Sequence, residues 1–186
     1  MNIMIVGVGG QGTLLASRIL GKVAIKEGYD VKVSQVHGKS QRGGSVVTYV
    51  KFGEKVQSPI IDKGGADIIL AFEELEAYRY LPYLKKGGKM IANTQKMNPM
   101  PVITGAMEYP ENIEEKLSAK INLQAVDALS LAEKAGTIKA VNVVLIGLLA
   151  KSMDVDKNVW IDVIKETVPE KFLDVNIKAF ELGYEL

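Results

Sequence analysis

The chain has 186 residues, of which 47% are hydrophobic and 24% charged, a balance typical of a globular protein with one core. Its 23 basic and 22 acidic side chains leave a formal net charge of +1, which argues against a nucleic-acid-binding surface. It has no cysteine and a single histidine, His37, which excludes disulfides, thiolate nucleophiles and self-held iron–sulfur clusters and disfavours a zinc site. We expect one domain spanning residues 1–186.

Strands and helices are predicted to alternate along the first half of the chain. Val31–Val36 alternates apolar and polar residues, as a half-buried strand does, and Gly28 is placed to end the preceding helix. The break at Gly53-Glu54 predicts a hairpin between the strands on either side of it. In chain order, the predicted elements are strand Ile3–Val6, helix Thr13–Lys26, strand Val31–Val36, strand Ser45–Phe52, strand Lys55–Ile61, strand Asp67–Phe72 and helix Glu73–Leu84.

The second half continues the alternation and ends in helices. Asp127 is a good N-cap for the helix that follows it, and we interpret Glu73, Glu74 and Glu76 as capping residues rather than catalytic acids. The predicted elements are strand Lys89–Asn93, helix Glu111–Ala119, strand Ile121–Val126, helix Ala128–Ala135, the very apolar helix Lys139–Met153, helix Trp160–Thr167 and helix Phe172–Leu182. This order predicts a three-layer α/β/α Rossmann-like domain whose mixed sheet is mostly parallel and contains one hairpin.

The sequence shows neither a secretory signal peptide nor a membrane-spanning segment. Met1–Val6 runs straight into glycines and lacks the basic, apolar and small-residue regions of a secretory signal peptide. The longest apolar stretch, Val143–Ala150, is far shorter than the roughly 18–20 residues that cross a bilayer. We therefore expect a cytoplasmic protein with no membrane contact.

The first glycine-rich loop lies between a predicted strand and a predicted helix, where its G-x-G-x-x-G pattern is typical of dinucleotide-binding folds. Such a loop allows a tight turn and lets a phosphate approach the helix N-terminus. An NAD site also needs an acid after the second strand, but Asp30 precedes that strand. Three interpretations stay open: NAD or FAD binding, a tight turn without ligand, and docking of another anion, cofactor fragment or partner segment. The candidate ligand-binding residues are Gly7, Gly9, Gly10, Gln11 and Gly12.

A second polar loop follows the second predicted strand, at the same expected edge of the sheet. Its Gly-Lys-Ser run imitates the end of a nucleotide-hydrolysing P-loop, but Val33 stands where that motif needs glycine, and we reject this function. Arg42 could bind a carboxylate or phosphate, and the alternative is a solvated arginine in a turn. His37 could carry a proton, and the alternative is a structural histidine. The candidate catalytic residues are His37 and Arg42, and the candidate ligand-binding residues are Lys39, Gln41, Gly43 and Gly44.

Three segments together resemble one family over essentially the whole chain. They are Gly7–Gly12, the V-H-G and Q-R-G-G-S runs within Val36–Ser45, and Asn142–Leu145. The chain is similar to the small, gamma-type (catalytic domain III) subunit of 2-oxoacid:ferredoxin oxidoreductases. The form of the second loop favours the indolepyruvate branch of that family.

The resemblance implies oxidative decarboxylation of a 2-oxoacid, here an aryl pyruvate, with coenzyme A as co-substrate. The products would be an aryl acetyl-CoA, carbon dioxide and electrons for ferredoxin. Thiamine diphosphate, magnesium and iron–sulfur clusters are expected in a larger alpha partner subunit, because this chain has no cysteine and no G-D-G…N thiamine motif. We expect no cofactor or metal on this chain alone, no activity without the partner, and a hetero-oligomer with two copies of each subunit.

Alternatives remain inside and outside the family. A related gamma subunit would act on pyruvate, 2-oxoglutarate or a branched-chain 2-oxoacid. A free-standing NAD-binding oxidoreductase and a non-catalytic scaffold subunit are functions of other classes.

Overall fold

The structure, a computed structural model, describes residues 1–37 and 44–186, with only the backbone of His37. Within these residues, six strands form one sheet in the order β2-β3-β1-β4-β5-β6. The strands are β1 Asn2–Val8, β2 Asp30–His37, β3 Ser45–Gly53, β4 Ala66–Ala71, β5 Leu84–Asn93 and β6 Asn122–Val126. The helices are α1 Thr13–Lys26, α2 Glu74–Tyr80, α3 Met100–Ile103, α4 Ile113–Ser118, α5 Ala128–Ala135, α6 Val141–Lys151, α7 Lys157–Thr167 and α8 Leu173–Tyr184.

The sheet is mixed, as predicted. Strands β1, β4, β5 and β6 run parallel to one another, while β3 is antiparallel to both of its neighbours, β1 and β2. Consecutive strands β2 and β3 therefore form the hairpin. The parallel strands bring their carboxyl ends to one edge, where ligands bind in open α/β sheets.

Alternating side chains of the central strands feed two separate cores, which gives the predicted three layers. In β1, Ile3 and Ile5 belong to one core while Met4 and Val6 belong to the other. Helices α1, α5, α6, α7 and α8 cover the first face, and α2 and α4 cover the second. Helix α6 is buried from Val141 to Ala150, which confirms the expectation that this most apolar helix packs against the sheet. In the described part of the chain, no helix is long and apolar enough to cross a membrane.

The predicted hairpin partner Lys55–Ile61 is wrong, because this segment forms no strand. Both edges of β3 are already occupied by β1 and β2, so no edge remains for it to pair with. The segment is held instead by side chains: Asp30 Oδ2 accepts from Val56 N at 2.9 Å, and Lys51 Nζ donates to Ile60 O at 3.2 Å.

Two residues predicted to end or cap helices do so in the structure. Gly28 adopts φ +84° directly after α1, and Asp127 caps α5 by accepting from Ser130 N at 3.0 Å. The predicted helix Glu73–Leu84 is shorter than expected, because it changes to a 3₁₀ turn at Leu81–Tyr83 and β5 begins at Leu84. Pro82 lies in that turn and has no N–H to continue the α-helix.

Candidate functional site

The first glycine loop joins β1 to α1 at the carboxyl edge of the sheet and packs closely against β4. A Cβ on Gly7 would lie 2.8 Å from Gln11 Oε1 and 2.9 Å from Phe72 Cβ. Gly10 and Gly12 have φ values of +96° and +81°, which side-chain-bearing residues rarely adopt. The sequence here thus specifies a tight turn.

The Gln11 side chain serves the loop itself. Its Oε1 accepts from Val8 N at 2.8 Å, and its Nε2 donates to Phe72 O at 3.0 Å. These bonds tie the end of β1 to the end of β4. The ligand-binding role predicted for Gln11 stays a prediction, and its side-chain amide is already engaged within the protein.

The open face of the loop borders a cavity of about 500 Å³. Apolar side chains form most of the opposite wall, and Gln95 and Lys139 add polar groups. Among the described residues, the backbone N–H groups of Gly10 and Gly12 have no acceptor. The cavity is therefore bordered by a loop whose backbone donors have no acceptor among the described residues, which suits an anion, and by walls that suit an apolar body. Its lining residues are Gly9, Gly10, Gln11, Gly12, Gln95, Met97, Leu129, Ile138, Lys139 and Val141.

The two predicted site loops meet at their ends. Gly9 N donates to Gly44 O at 3.0 Å, and Val8, the last residue of β1, pairs with Ser45. His37 ends β2 opposite Val46, at the same edge. The structure thus brings His37 and Gly44 to the glycine loop's edge of the sheet. Lys39, Gln41, Arg42 and Gly43 lie outside the described residues, so their roles stay predictions.

Asn142 belongs to the third family motif, which predicts no role for it, and the structure places it at the site. Its Nδ2 donates to Gly12 O at 3.3 Å, and its Oδ1 accepts from Val143 N at 2.9 Å. A Cβ on Gly12 would lie 2.5 Å from Asn142 Nδ2. Asn142 on α6 therefore holds the glycine loop from the side. The sequence signal for this role is an amide side chain at the start of an otherwise apolar helix.

Glu73 caps α2, as its position at the helix start predicts, and it also binds two groups outside the helix. Its Oε2 accepts from Glu76 N at 2.9 Å, while its Oε1 accepts from Met97 N at 3.0 Å and from Tyr109 Oη at 2.6 Å. Burial and the neighbouring Glu73 carboxylate raise the pKa of Tyr109, which stays a protonated donor. One buried carboxylate thereby orders the Met97 segment beside the cavity.

Glu76 lies in the first turn of α2 as expected, but its side chain does not cap the helix; this buried carboxylate belongs to a polar cluster at the start of β3. Ser45 Oγ donates to Glu76 Oε2 at 2.5 Å and lies 3.3 Å from Tyr80 Oη, and Arg79 Nη1 donates to Glu76 Oε1 at 2.9 Å. Burial raises the pKa of Glu76, although the bonds from Ser45 and Arg79 oppose the rise. The cluster anchors β3 directly after Gly44, and its partners are too far apart in sequence to be paired by pattern.

Glu76→Gln should change how stability depends on pH. Because burial raises the pKa of Glu76 above its ordinary value of 4.5, the folded protein holds this proton more tightly than the unfolded chain does. The wild-type free energy of unfolding therefore loses this contribution as pH rises from 4.5 through the raised pKa. We expect Glu76→Gln to gain stability relative to wild type over that rise, measured by urea unfolding at several pH values.

Glu133→Gln is the matched control, since Glu133 is exposed on α5 and its side chain forms no hydrogen bond or salt bridge with the described residues. Its unfolding free energy should follow wild type at every pH. Parallel curves for wild type and Glu76→Gln would contradict the assigned titration.

The strand order works against an NAD site. The acid that binds ribose normally ends the strand beside β1, but here β3 separates β2 from β1. Two strand spacings of about 4.8 Å put the end of β2 roughly 10 Å from β1. Asp30 begins β2 at the opposite edge and accepts from Lys32 Nζ at 2.6 Å. The described residues thus lack the acid at the required place.

The described residues of this chain form no site for the metal groups that the sequence resemblance assigns to the partner subunit. Iron–sulfur clusters need thiolate ligands, and the chain has no cysteine. Within residues 1–37 and 44–186, no group of three acidic or histidine side chains is placed to hold a metal ion.

Comparisons with known proteins agree over the whole chain. The profile described as pyruvate ferredoxin/flavodoxin oxidoreductase matches residues 2–186. The indolepyruvate oxidoreductase subunit IorB of Thermococcus kodakarensis is 46% identical, with 98% of this chain and 93% of the relative covered. IorB of Pyrococcus horikoshii is also 46% identical, with the same coverage.

Solved structures share the fold. The gamma subunit of a keto/oxoacid ferredoxin oxidoreductase from Geobacter sulfurreducens is 26% identical with a TM-score of 0.74, over 99% of this chain and 96% of that one. The pyruvate oxidoreductase subunit PORC of Thermotoga maritima has a TM-score of 0.77 at 21% identity, over 100% and 95%. The resemblance inferred from the glycine motifs is confirmed, and the chain belongs to the pyruvate ferredoxin/flavodoxin oxidoreductase family.

Proposed function

We propose that this chain is the small subunit of a cytoplasmic 2-oxoacid:ferredoxin oxidoreductase that acts on indolepyruvate, with residues 1–186 forming one catalytic-type domain. The observation that carries this is the 46% identity to two indolepyruvate oxidoreductase subunits. A ketoisovalerate oxidoreductase subunit and a 2-oxoglutarate synthase subunit, both of Methanothermobacter marburgensis, are only 28% and 32% identical.

The reaction is the oxidative decarboxylation of the 2-oxoacid with coenzyme A to an aryl acetyl-CoA. Thiamine diphosphate, magnesium and the iron–sulfur clusters belong to the larger alpha partner, in a complex with two copies of each subunit, and electrons leave through that partner to ferredoxin. Thiamine diphosphate supplies the carbanion chemistry when bound, so the protein's part is to orient groups and balance charge. The missing cysteines support this division of labour.

This chain's part is to form one wall of the active site. The amides of Gly10 and Gly12 point to an anion, either the 2-oxoacid carboxylate or a coenzyme A phosphate. Arg42 and Lys39 would add positive charge from the second loop, with Gln41 and Gly43 as further donors, and His37 would bond the substrate carbonyl or carry a proton.

The largely apolar cavity supports an aryl substrate over 2-oxoglutarate. Its walls include Met97, Leu129, Ile138 and Val141, while a second carboxylate would need a cation to pair with. Among the described residues, Lys139 is the single cation that lines the cavity, which suffices for the one carboxylate of an aryl pyruvate. Pyruvate and branched-chain 2-oxoacids remain the alternative substrates.

Reconstitution with the larger subunit tests the proposal. The complex should reduce a viologen dye with indolepyruvate and coenzyme A, and the turnover should fall to background when coenzyme A is omitted. The isolated chain should be colourless and inactive, because it has no thiolate to hold a cluster. Efficient turnover of pyruvate without turnover of aryl pyruvates would overturn the indolepyruvate assignment and leave the family role intact.

A further inference from the structure

A cluster of lysines lies at the amino edge of the sheet, on the opposite side from the glycine loop. Ala66 of β4 pairs with Leu84 of β5, but Ile68 pairs with Lys89, so the residues between them on β5 bulge out of the ladder. This lysine bulge is Lys85–Gly88. Bulges of this kind re-aim side chains and are features of a fold rather than defects.

Two glycines define the shape of the lysine bulge. Gly87 has φ +80°, and a Cβ on Gly88 would lie 2.9 Å from Asp67 O and 3.0 Å from Lys85 O. The backbone is therefore pressed against β4, which fixes the backbone positions from which the neighbouring lysines project.

A cavity of about 380 Å³ lies beside the lysine bulge. It is lined by Lys85, Lys86 and Lys89 together with Asp67 and Ser152. On the other side of the bulge, a second cavity of about 420 Å³ is lined by Lys85, Lys86 and Lys120. In a chain whose formal net charge is only +1, this is a marked concentration of positive charge.

The one carboxylate lining the first cavity is already engaged. Asp67 Oδ1 accepts from Lys85 Nζ at 3.1 Å, and its Oδ2 accepts from Asn2 N at 2.8 Å. Lys89 Nζ donates to the neutral hydroxyl of Ser152 at 2.7 Å and forms no salt bridge in the described part of the chain. A partly buried ammonium without a counterion costs free energy.

Lys151 adds to the free-energy cost of keeping Lys89 charged. Burial lowers the pKa of Lys89, and repulsion from Lys151 lowers it further. An anion in the cavity would offset both penalties, since Lys89 and Lys86 both line it.

We propose that the cavity beside the lysine bulge binds the phosphoryl group of a small anionic ligand, with Lys89 as its central contact and Lys86 as a second. Lysine binds phosphate as a compact point charge, and the cavity volume lies within the range of small-ligand pockets. The site lies at the other edge of the sheet from the glycine loop, so the proposal does not depend on the proposed enzyme activity.

Calorimetric titration of the full chain with sodium pyrophosphate, at about 150 mM salt to screen loose surface binding, tests the site. Wild type should bind with saturation, and Lys89→Met should bind about tenfold more weakly or worse, a loss of about 1.4 kcal/mol. Lys134→Met, an exposed lysine on α5, is the matched control and should bind like wild type. An ADP titration in parallel shows whether the site takes a free phosphate or one carried by a nucleoside.

Melting temperatures without ligand separate binding from folding. Lys89→Met should melt no lower than wild type, because it removes an uncompensated charge. A clear fall in its melting temperature would make Lys89 a structural anchor and overturn the proposal. Absence of saturable binding, or equal binding by Lys89→Met and wild type, would overturn it as well.

Discussion

Gly147→Ala should lower the free energy of unfolding by about 3 kcal/mol or more, among the largest effects of any single substitution in this protein. Helices α6 and α8 cross so closely that a Cβ on Gly147 would collide with Phe180 O and lie 2.8 Å from Tyr184 N. Gly183 faces it from α8, where a Cβ would collide with Val144 O. Backbone atoms cannot move aside as side chains do, so the two helices must separate and open the core around Trp160 and Phe180.

Gly183→Ala should have a similar effect, and alanine's higher helix propensity, worth about 1 kcal/mol, offsets only part of it. Gly53→Ala is the control, because nothing lies within 4 Å of its added Cβ and its φ is not positive. That variant should remain within about 0.5 kcal/mol of wild type. Urea unfolding of the three variants decides the matter, and near-wild-type stability of Gly147→Ala would show that the helix crossing is looser than described.

Arg42→Ala should lower turnover of the reconstituted complex about a hundredfold or more, corresponding to about 2–4 kcal/mol of transition-state stabilisation. The physical reason is the proposed pairing of its guanidinium with a desolvated carboxylate or phosphate. Arg42→Lys should recover part of the loss, because an ammonium cannot make the planar two-pronged contact. The measurements are steady-state turnover and the melting temperature of each variant.

Arg18→Ala provides the comparison for Arg42→Ala, since Arg18 is exposed on α1 and lies outside the proposed site. Both variants should keep their folding stability within about 0.5 kcal/mol of wild type, because Arg18 is exposed and Arg42 belongs to a polar, glycine-rich sequence segment. Wild-type turnover in Arg42→Ala would contradict the binding role and favour the alternative, a solvated arginine. A collapse of its melting temperature would make it a structural anchor instead.

Features that depend on residues close to one another in the chain are predictable from the sequence. Strand and helix periodicity, the left-handed Gly28 after α1 and the Asp127 cap of α5 are local, and all three were predicted. The glycine loop was also predictable, because a tight turn between a strand and a helix demands small residues at fixed spacing. The family resemblance depended on the same local motifs.

Which distant residues meet depends on the folded chain and follows from no local pattern. The fold accounts for three such features. It placed β3 between β1 and β2, which denied Lys55–Ile61 a partner. It also paired Ser45 with Glu76, 31 residues apart, and Gly12 with Asn142, 130 residues apart. Periodicity shows which face of an element is buried but not which element covers it. A strand's neighbour and a buried carboxylate's partner are set by the packing of the whole chain, because they come from elements far apart in sequence.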